Sequence, residues 1–192
     1  MIPYLIDVES VFDFSSVKGI DLYHEVASSI PRYYPPKELA NIVLGKLDLA
    51  SVKPYQDALF LEELNYRVRI FLVTNLPKLE IKSLLMRHNL DVFVQDVISP
   101  EDVNRYLPSQ EIFSHATRRA NTVLGVMNFV TPRVGFAIKA RSLGLKVTLL
   151  RNKVTLPQDL GIGFKPDLVA LAESVAQHKV DSTMGDSALR CT

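Results

Sequence analysis

Val68-Arg69-Ile70-Phe71-Leu72-Val73-Thr74, followed by Asn75, is the stretch on which the fold turns. It is a continuous apolar run rich in β-branched residues. A strand buried on both faces reads this way, whereas a strand with one wet face alternates. Helical spacing flanks it on both sides. Pro54 opens a segment with Ala58, Leu61 and Leu64 on one side, and Lys78 to His88 carries Leu79, Ile81, Leu84 and Leu85.

The same alternation extends outward. Pro3 to Val8, Val92 to Ile98, Val123 to Val130, Lys146 to Leu150 and Asp167 to Ala170 read as strands. Ser109 to Ala120 reads as a helix capped by Ser109, and Arg133 to Leu143 as a helix stopped by Gly144. Near the start, Asp21 reads as the cap of a helix from Leu22 to Ile30, with Leu22, Val26, Ser29 and Ile30 on one face. A break at Pro31 to Pro35 follows, then a second helix opened by Pro36 with Leu39, Ile42, Val43 and Leu47. A terminal helix and, from about Asp181, a polar tail close the chain.

Strands separated by helices of this length imply an α/β fold, a doubly wound parallel sheet with crossover helices. The divisions expected are an α/β core over 1–17 and 52–180, a helical cap-like insert over 18–51 and a polar tail over 181–192. Ligands bind such sheets beyond the C-terminal strand ends, where the strand order reverses. That directs attention to Asp7 and Glu9, Thr74 and Asn75, Ser99, Thr131 to Arg133, and Arg151.

Six fragments in order resemble the haloacid-dehalogenase-like (HAD) superfamily. Leu5-Ile6-Asp7-Val8-Glu9-Ser10-Val11-Phe12 looks like its opening strand with Asp-x-Asp-Gly-Thr-Leu. Pro54 through Leu64 resembles the helix before its second motif, and Leu72-Val73-Thr74-Asn75 that motif itself. Leu107-Pro108-Ser109-Gln110-Glu111-Ile112-Phe113 is similar to Lys-Pro-x-x-x-Ile-Phe. Phe129-Val130-Thr131-Pro132 through Gly144 is similar to the fourth, acidic motif, and Pro166-Asp167-Leu168-Val169 to the closing strand. The resemblance implies a Rossmann-like core, with residues 18–51 where many members carry a small cap.

It also implies a chemistry. An Asp carboxylate attacks, forming a covalent aspartyl intermediate, and a second acid two residues on protonates the leaving group. A hydroxyl and a Lys hold the phosphoryl oxygens, and fourth-motif acids complete a Mg2+ site. Here Asp7 stands for the nucleophile, Glu9 for the acid (one methylene longer), and Thr74 with Asn75 for the phosphate-binding pair. Leu107 replaces the Lys, with Arg105 two residues away. Pro132 and Phe136 fall where the acids belong, and Asp96 is a remote substitute. The metal-free dehalogenase branch also relies on that Lys, although Asn128 and Thr131 are polar in the fourth segment. Asp7, Glu9 and Thr74 are thus expected as vestigial catalytic positions with no resident metal.

Composition sets the remaining bounds. The 192 residues are 47% hydrophobic and 22% charged, enough for a packed core. Apolar windows are too short to span a bilayer, and the N-terminus reads as a strand rather than a targeting segment. Cys191 is the single cysteine, so no intrachain disulfide forms, and a reducing intracellular compartment, cytoplasmic or organellar matrix, is expected. His24, His88, His115 and His178 have no ligand spacing and read as surface residues.

The net charge of +1 hides a segregation. From Ile112 to Gln158 there are eight cations and no Asp or Glu. Arg118, Arg119, Arg133, Arg141, Arg151 and Lys153 would form a basic face suited to an acidic protein or to RNA phosphates, unless acids such as Glu62, Glu63 and Asp159 balance it. Two function classes follow. One is a non-catalytic HAD-like subunit of a larger assembly, with no cofactor. The other is a divergent hydrolase of phosphatase or dehalogenase type that uses Asp7, with Mg2+ if it transfers phosphate.

Overall fold

In the computed structural model the chain runs β1 (Pro3–Asp7), β2 (Phe12–Asp13), α1 (Ile20–Ser29), α2 (Pro36–Leu44), β3 (Lys53–Pro54) and α3 (Phe60–Asn65). It continues through β4 (Arg69–Val73), α4 (Lys78–Arg87), β5 (Asp96–Ile98), α5 (Gln110–Arg119) and β6 (Asn128–Thr131). α6 (Val134–Ser142), β7 (Lys146–Leu150), β8 (Gly163–Lys165) and α7 (Leu168–Ala188) complete it. The structure describes the backbone of residues 1–188 and the side chains of residues 1–178. Cys191 lies outside the described residues.

Six strands form one parallel sheet in the order β5-β4-β1-β6-β7-β8, and β2 and β3 pair as a small antiparallel ribbon. The chain starts at β1, steps out through β4 to β5, then returns to the other side of β1 with β6. The strand order therefore reverses between β1 and β6, and the crevice for a site opens at their C-terminal ends.

The apolar run that set the fold supplies both faces. Ile70 and Leu72 join Ile6, Val97, Val130 and Leu150 in one core beneath α3, α4 and α7, with Tyr23 of α1 and Leu39 of α2 packed into it. Phe71 and Val73 join Leu5, Ile98, Phe129 and Leu149 in a second core under α5 and α6. The period-two alternation of β-strand side chains produces this division. Each fully buried Leu or Ile contributes roughly 1.5–3 kcal/mol relative to exposure.

Several local expectations shift. Helix α1 begins after Gly19, which adopts φ +83°, and not after Asp21. Its buried face is Ile20, Tyr23, His24 and Ala27, while Leu22 is exposed. Of the expected face, Val26 and Ile30 are partly buried against the core. The expected strand over Val92–Ile98 is shorter, Asp96–Ile98, because a 3-10 turn takes Asp91–Phe93. The last strand is Gly163–Lys165, not Asp167–Ala170. Asp167 instead accepts the Ala170 amide at 2.8 Å and starts α7. The segment opened by Pro54 puts that proline in β3, and the helix starts only at Phe60. α7 runs to Ala188, past Asp181 where a tail was expected. No helix among the described residues is long and apolar enough to cross a membrane.

Candidate functional site

β1 ends on Asp7, which is 2% exposed. Its carboxylate caps the short 3-10 turn Val8–Ser10, Oδ1 accepting the Glu9 amide at 3.1 Å. Oδ2 accepts the Thr131 hydroxyl, at the end of β6, at 2.7 Å. Burial pushes the Asp7 carboxyl up to about 6, and the neighbouring Glu9 charge adds to the rise.

Glu9 turns into the same crevice and is almost as buried. Arg133 grips it in a fork, Nε to Oε2 at 2.5 Å and Nη2 to Oε1 at 3.1 Å. Oε1 also meets His24 Nε2 at 2.8 Å. Burial alone would raise the Glu9 carboxyl. The hydrogen bonds and charges of His24 and Arg133 outweigh it and hold the group near 2. The extra methylene of Glu relative to Asp gives the reach for these contacts. Arg133 also binds Asp21 at 3.0 Å, and its guanidinium lies 5.9 Å from the Phe136 ring centre.

Asn75 ties the neighbouring loops together. Its Oδ1 accepts the Leu107 amide at 2.7 Å, which leaves Nδ2 facing His24 Nδ1 at 3.3 Å. On its other side the ring turns Nε2 to the Glu9 carboxylate, so His24 bridges Asn75 and Glu9. Tyr23 donates to the Asn75 carbonyl at 2.6 Å, so α1 is bolted to the end of β4. Thr74 is buried and its Oγ1 accepts the Leu76 amide at 2.9 Å; it makes no hydrogen bond to Asp7 or Glu9 among the described residues.

Leu107 is fully buried in the second core with Leu5 and Phe113, so no amine enters there. Arg105 is exposed and faces Glu111 at 3.9 Å. Asp96 sits at the start of β5 and pairs with Arg119 at 2.6 Å, at the wrong end of its strand to substitute. Phe136 is buried and stands edge-on to His24, ring centres 5.6 Å apart. Mg2+ does not fit this set. Each Asp7 and Glu9 oxygen already accepts a hydrogen bond, a guanidinium fills the place of a cation, and no group of three or more His, Cys, Asp or Glu among the described residues is arranged for a metal.

An open cleft of about 430 Å³ outside the network is lined by Glu9, Asp21, Arg133 and Asn152, and not by Asp7. Sequence reasoning missed His24, which is 6% exposed rather than on the surface. Its signal was the spacing of Ile20, Tyr23, His24 and Ala27, at i, i+3, i+4 and i+7. The basic segment also divides. Arg133 serves Glu9 and Asp21, and Arg119 serves Asp96. Arg151 binds Asp57 at 2.5 Å and the Ser10 carbonyl at 3.0 Å, and stacks 3.8 Å above the Tyr55 ring. Arg141 donates to the Leu160 carbonyl at 3.0 Å, while Arg118 and Lys153 are exposed. The balancing acids are Asp21, Asp57, Asp96 and Glu9, not the Glu62, Glu63 and Asp159 expected.

No protein-family model matches the chain, and no curated protein matches it. Solved structures do. A dehalogenase crystallised as an intermediate complex superposes with a TM-score of 0.77 at 14% identity, covering 89% of this chain and 95% of that one. The chain has the haloacid-dehalogenase-like fold. An L-2-haloacid dehalogenase gives 0.74 at 14% identity, over 91% of this chain and 99% of that one. A HAD-hydrolase of Bacillus subtilis, described as putative and bound to magnesium, gives 0.68 at 16%, over 91% and 98%. Within the HAD-like fold, the Asp7–Thr131 contact occupies the crevice between the first strand and the strand that follows the reversal.

Proposed function

We propose that this chain is a non-catalytic HAD-like domain, kept as a structural or interaction subunit of a larger assembly. The observation that carries the reading is Glu9. The residue at the acid position is locked between Arg133 and His24 and held ionised, so it has no proton to give to a leaving group near neutral pH. Asp7 is sealed beneath it, and no amine stands near to hold an anionic substrate. A fold does not carry its relatives' chemistry once the groups that perform it are gone. The outward contacts of such a subunit would use exposed cations that pair with no carboxylate among the described residues, such as Arg118 and Lys153.

A second reading, a divergent hydrolase of dehalogenase type, is favoured by one observation. Asp7 remains at the end of β1 in a fold that superposes on dehalogenases over most of its length. Here the Asp7 carboxylate would displace halide from carbon, and water would cleave the resulting ester.

One experiment separates them. The full chain is incubated with p-nitrophenyl phosphate and Mg2+, and separately with 2-chloropropionate, beside Asp7→Asn. The expected result is no phosphate, halide or Asp7 ester by mass spectrometry above the variant's background. Halide release or an Asp7 adduct that disappears in Asp7→Asn would establish the second reading.

A further inference from the structure

A cavity larger than the cleft at Glu9 lies elsewhere in the fold. A groove of about 880 Å³ lies beside α7, over the sheet near the N-terminal ends of β1, β6 and β7. Its floor follows from register. Tyr4, Asn128 and Lys146 stand side by side on adjacent strands and share one face, with Thr148 two residues further along β7. On β8, Lys165 points the same way, opposite Leu150. Neighbouring strands are about 4.8 Å apart, so these groups form a polar floor roughly 10–15 Å wide.

A sheet face covered by helices reads apolar, as this one does closer to the crevice with Ile6, Val130 and Leu150. Over the groove it turns into amide, hydroxyl and ammonium. Four cations line the cavity, Arg67, Arg69, Lys146 and Lys165, and among the described residues no Asp or Glu does. Arg67 reaches Glu63 outside the groove with Nη2, while its Nε is buried without a hydrogen-bond partner. Neither Lys146 nor Lys165 has an ion-pair partner among the described residues. Clustered cations without counter-charge in a concavity raise the local potential and collect anions.

We propose that this groove binds a polyphosphorylated small molecule. The phosphate chain would lie along Lys146 and Lys165 as point charges, with Arg69 and Arg67 adding positive potential at the rim. The size suits a drug- or nucleotide-sized ligand. A nucleic-acid backbone fits less well. It needs a broad basic surface, and the protein's net charge is only +1, with Arg119, Arg133 and Arg151 already paired. The site is independent of the chemistry at Asp7 and stands whichever reading of that residue holds.

The test is calorimetric titration of the full chain with ATP and, separately, inorganic tripolyphosphate, without added metal. Wild type is compared with Lys146→Gln/Lys165→Gln and with Arg118→Gln as a surface control. The expected result is binding that weakens about tenfold or more in the double variant, the loss of two charge-assisted contacts, and is unchanged in the control. Tighter binding of ATP would assign a nucleotide, and equal binding would assign the phosphate chain alone; either supports the groove. No heat with either probe at millimolar concentration overturns the proposal, as does equal binding by the double variant. A single-stranded oligonucleotide that binds through the same lysines and is not displaced by ATP or tripolyphosphate overturns it in favour of a polymer. Single substitutions at exposed Lys146 serve if the double variant fails to fold.

Discussion

Thr131 donates its hydroxyl to Asp7 at 2.7 Å, joining residues 124 apart in sequence across the reversal of strand order. The same oxygen accepts the Arg133 amide at 3.1 Å. One hydroxyl thus orients the buried carboxylate and begins the turn that delivers Arg133 to Glu9. In Thr131→Val both contacts vanish with little change of shape. A loss of about 1–3 kcal/mol is expected, and the Asp7 carboxyl should titrate higher, because the hydrogen bond that lowered it is gone. Carboxyl carbon NMR on labelled Asp reads that direction; an unchanged titration would contradict it.

Asp7 and Glu9 bend the pH profile in opposite senses. The Asp7 carboxyl is raised to about 6, so the native state holds its proton more tightly than the unfolded chain. That contribution is complete below about pH 4 and disappears as pH rises through 6. Glu9 is held near 2, so its contribution is complete above about pH 4.5 and is lost as pH falls towards 2. Stability from this pair should peak near pH 4–5. Asp7→Asn should flatten the decline between pH 4 and 7, worth on the order of 2–3 kcal/mol. Thermal unfolding across pH 3–8 decides it, and a variant that declines in parallel with wild type would rule it out.

The Glu9–Arg133 fork is mostly buried, with side chains 9% and 22% exposed. Arg133→Ala leaves Glu9 ionised in a dry crevice and should cost about 3–5 kcal/mol. Removing both charges in Glu9→Gln/Arg133→Met should cost much less than the sum of the singles. Urea denaturation of the three variants measures the coupling. Strict additivity would show that the pair does not act as a unit.

Asp57 performs two tasks for the far end of the sheet. Oδ1 binds Arg151 at 2.5 Å and Oδ2 accepts the first amide of α7, Leu168, at 2.7 Å. Asp57→Ala should cost about 2–4 kcal/mol, because it strands the Arg151 charge as well as the helix start. Arg151→Lys should recover little, since an ammonium cannot stack on Tyr55 while reaching both Asp57 and the Ser10 carbonyl. Denaturant midpoints check both. Full rescue by Lys would show that charge alone matters.

Placing at position 107 the lysine that the resemblance expects should not create phosphatase activity. Leu107 lies in the second core with no exposure, so Leu107→Lys buries an amine without a partner and should cost about 3 kcal/mol or more. Unfolding and phosphatase assays on the same preparation test this; a stable, active variant would show that the pocket can reopen.

The chain's amino-acid order alone specified the layers. Apolar runs such as Ile70 to Val73 suit a strand buried on both faces, and with the helical spacing between them they read as a parallel α/β sheet. Asp7 and Glu9 were legible because both follow directly from a strand end. What held them was not. His24, Thr131 and Arg133 reach Asp7 and Glu9 only after the sheet reverses its order and α1 folds over the crevice, bringing together groups up to 124 residues apart. The same holds for the basic segment. Local sequence counts its charges, but whether a guanidinium faces water or a buried carboxylate depends on long-range packing, and only the tertiary structure assigns Arg133 to Glu9, Arg151 to Asp57, and Lys146 and Lys165 to the groove floor.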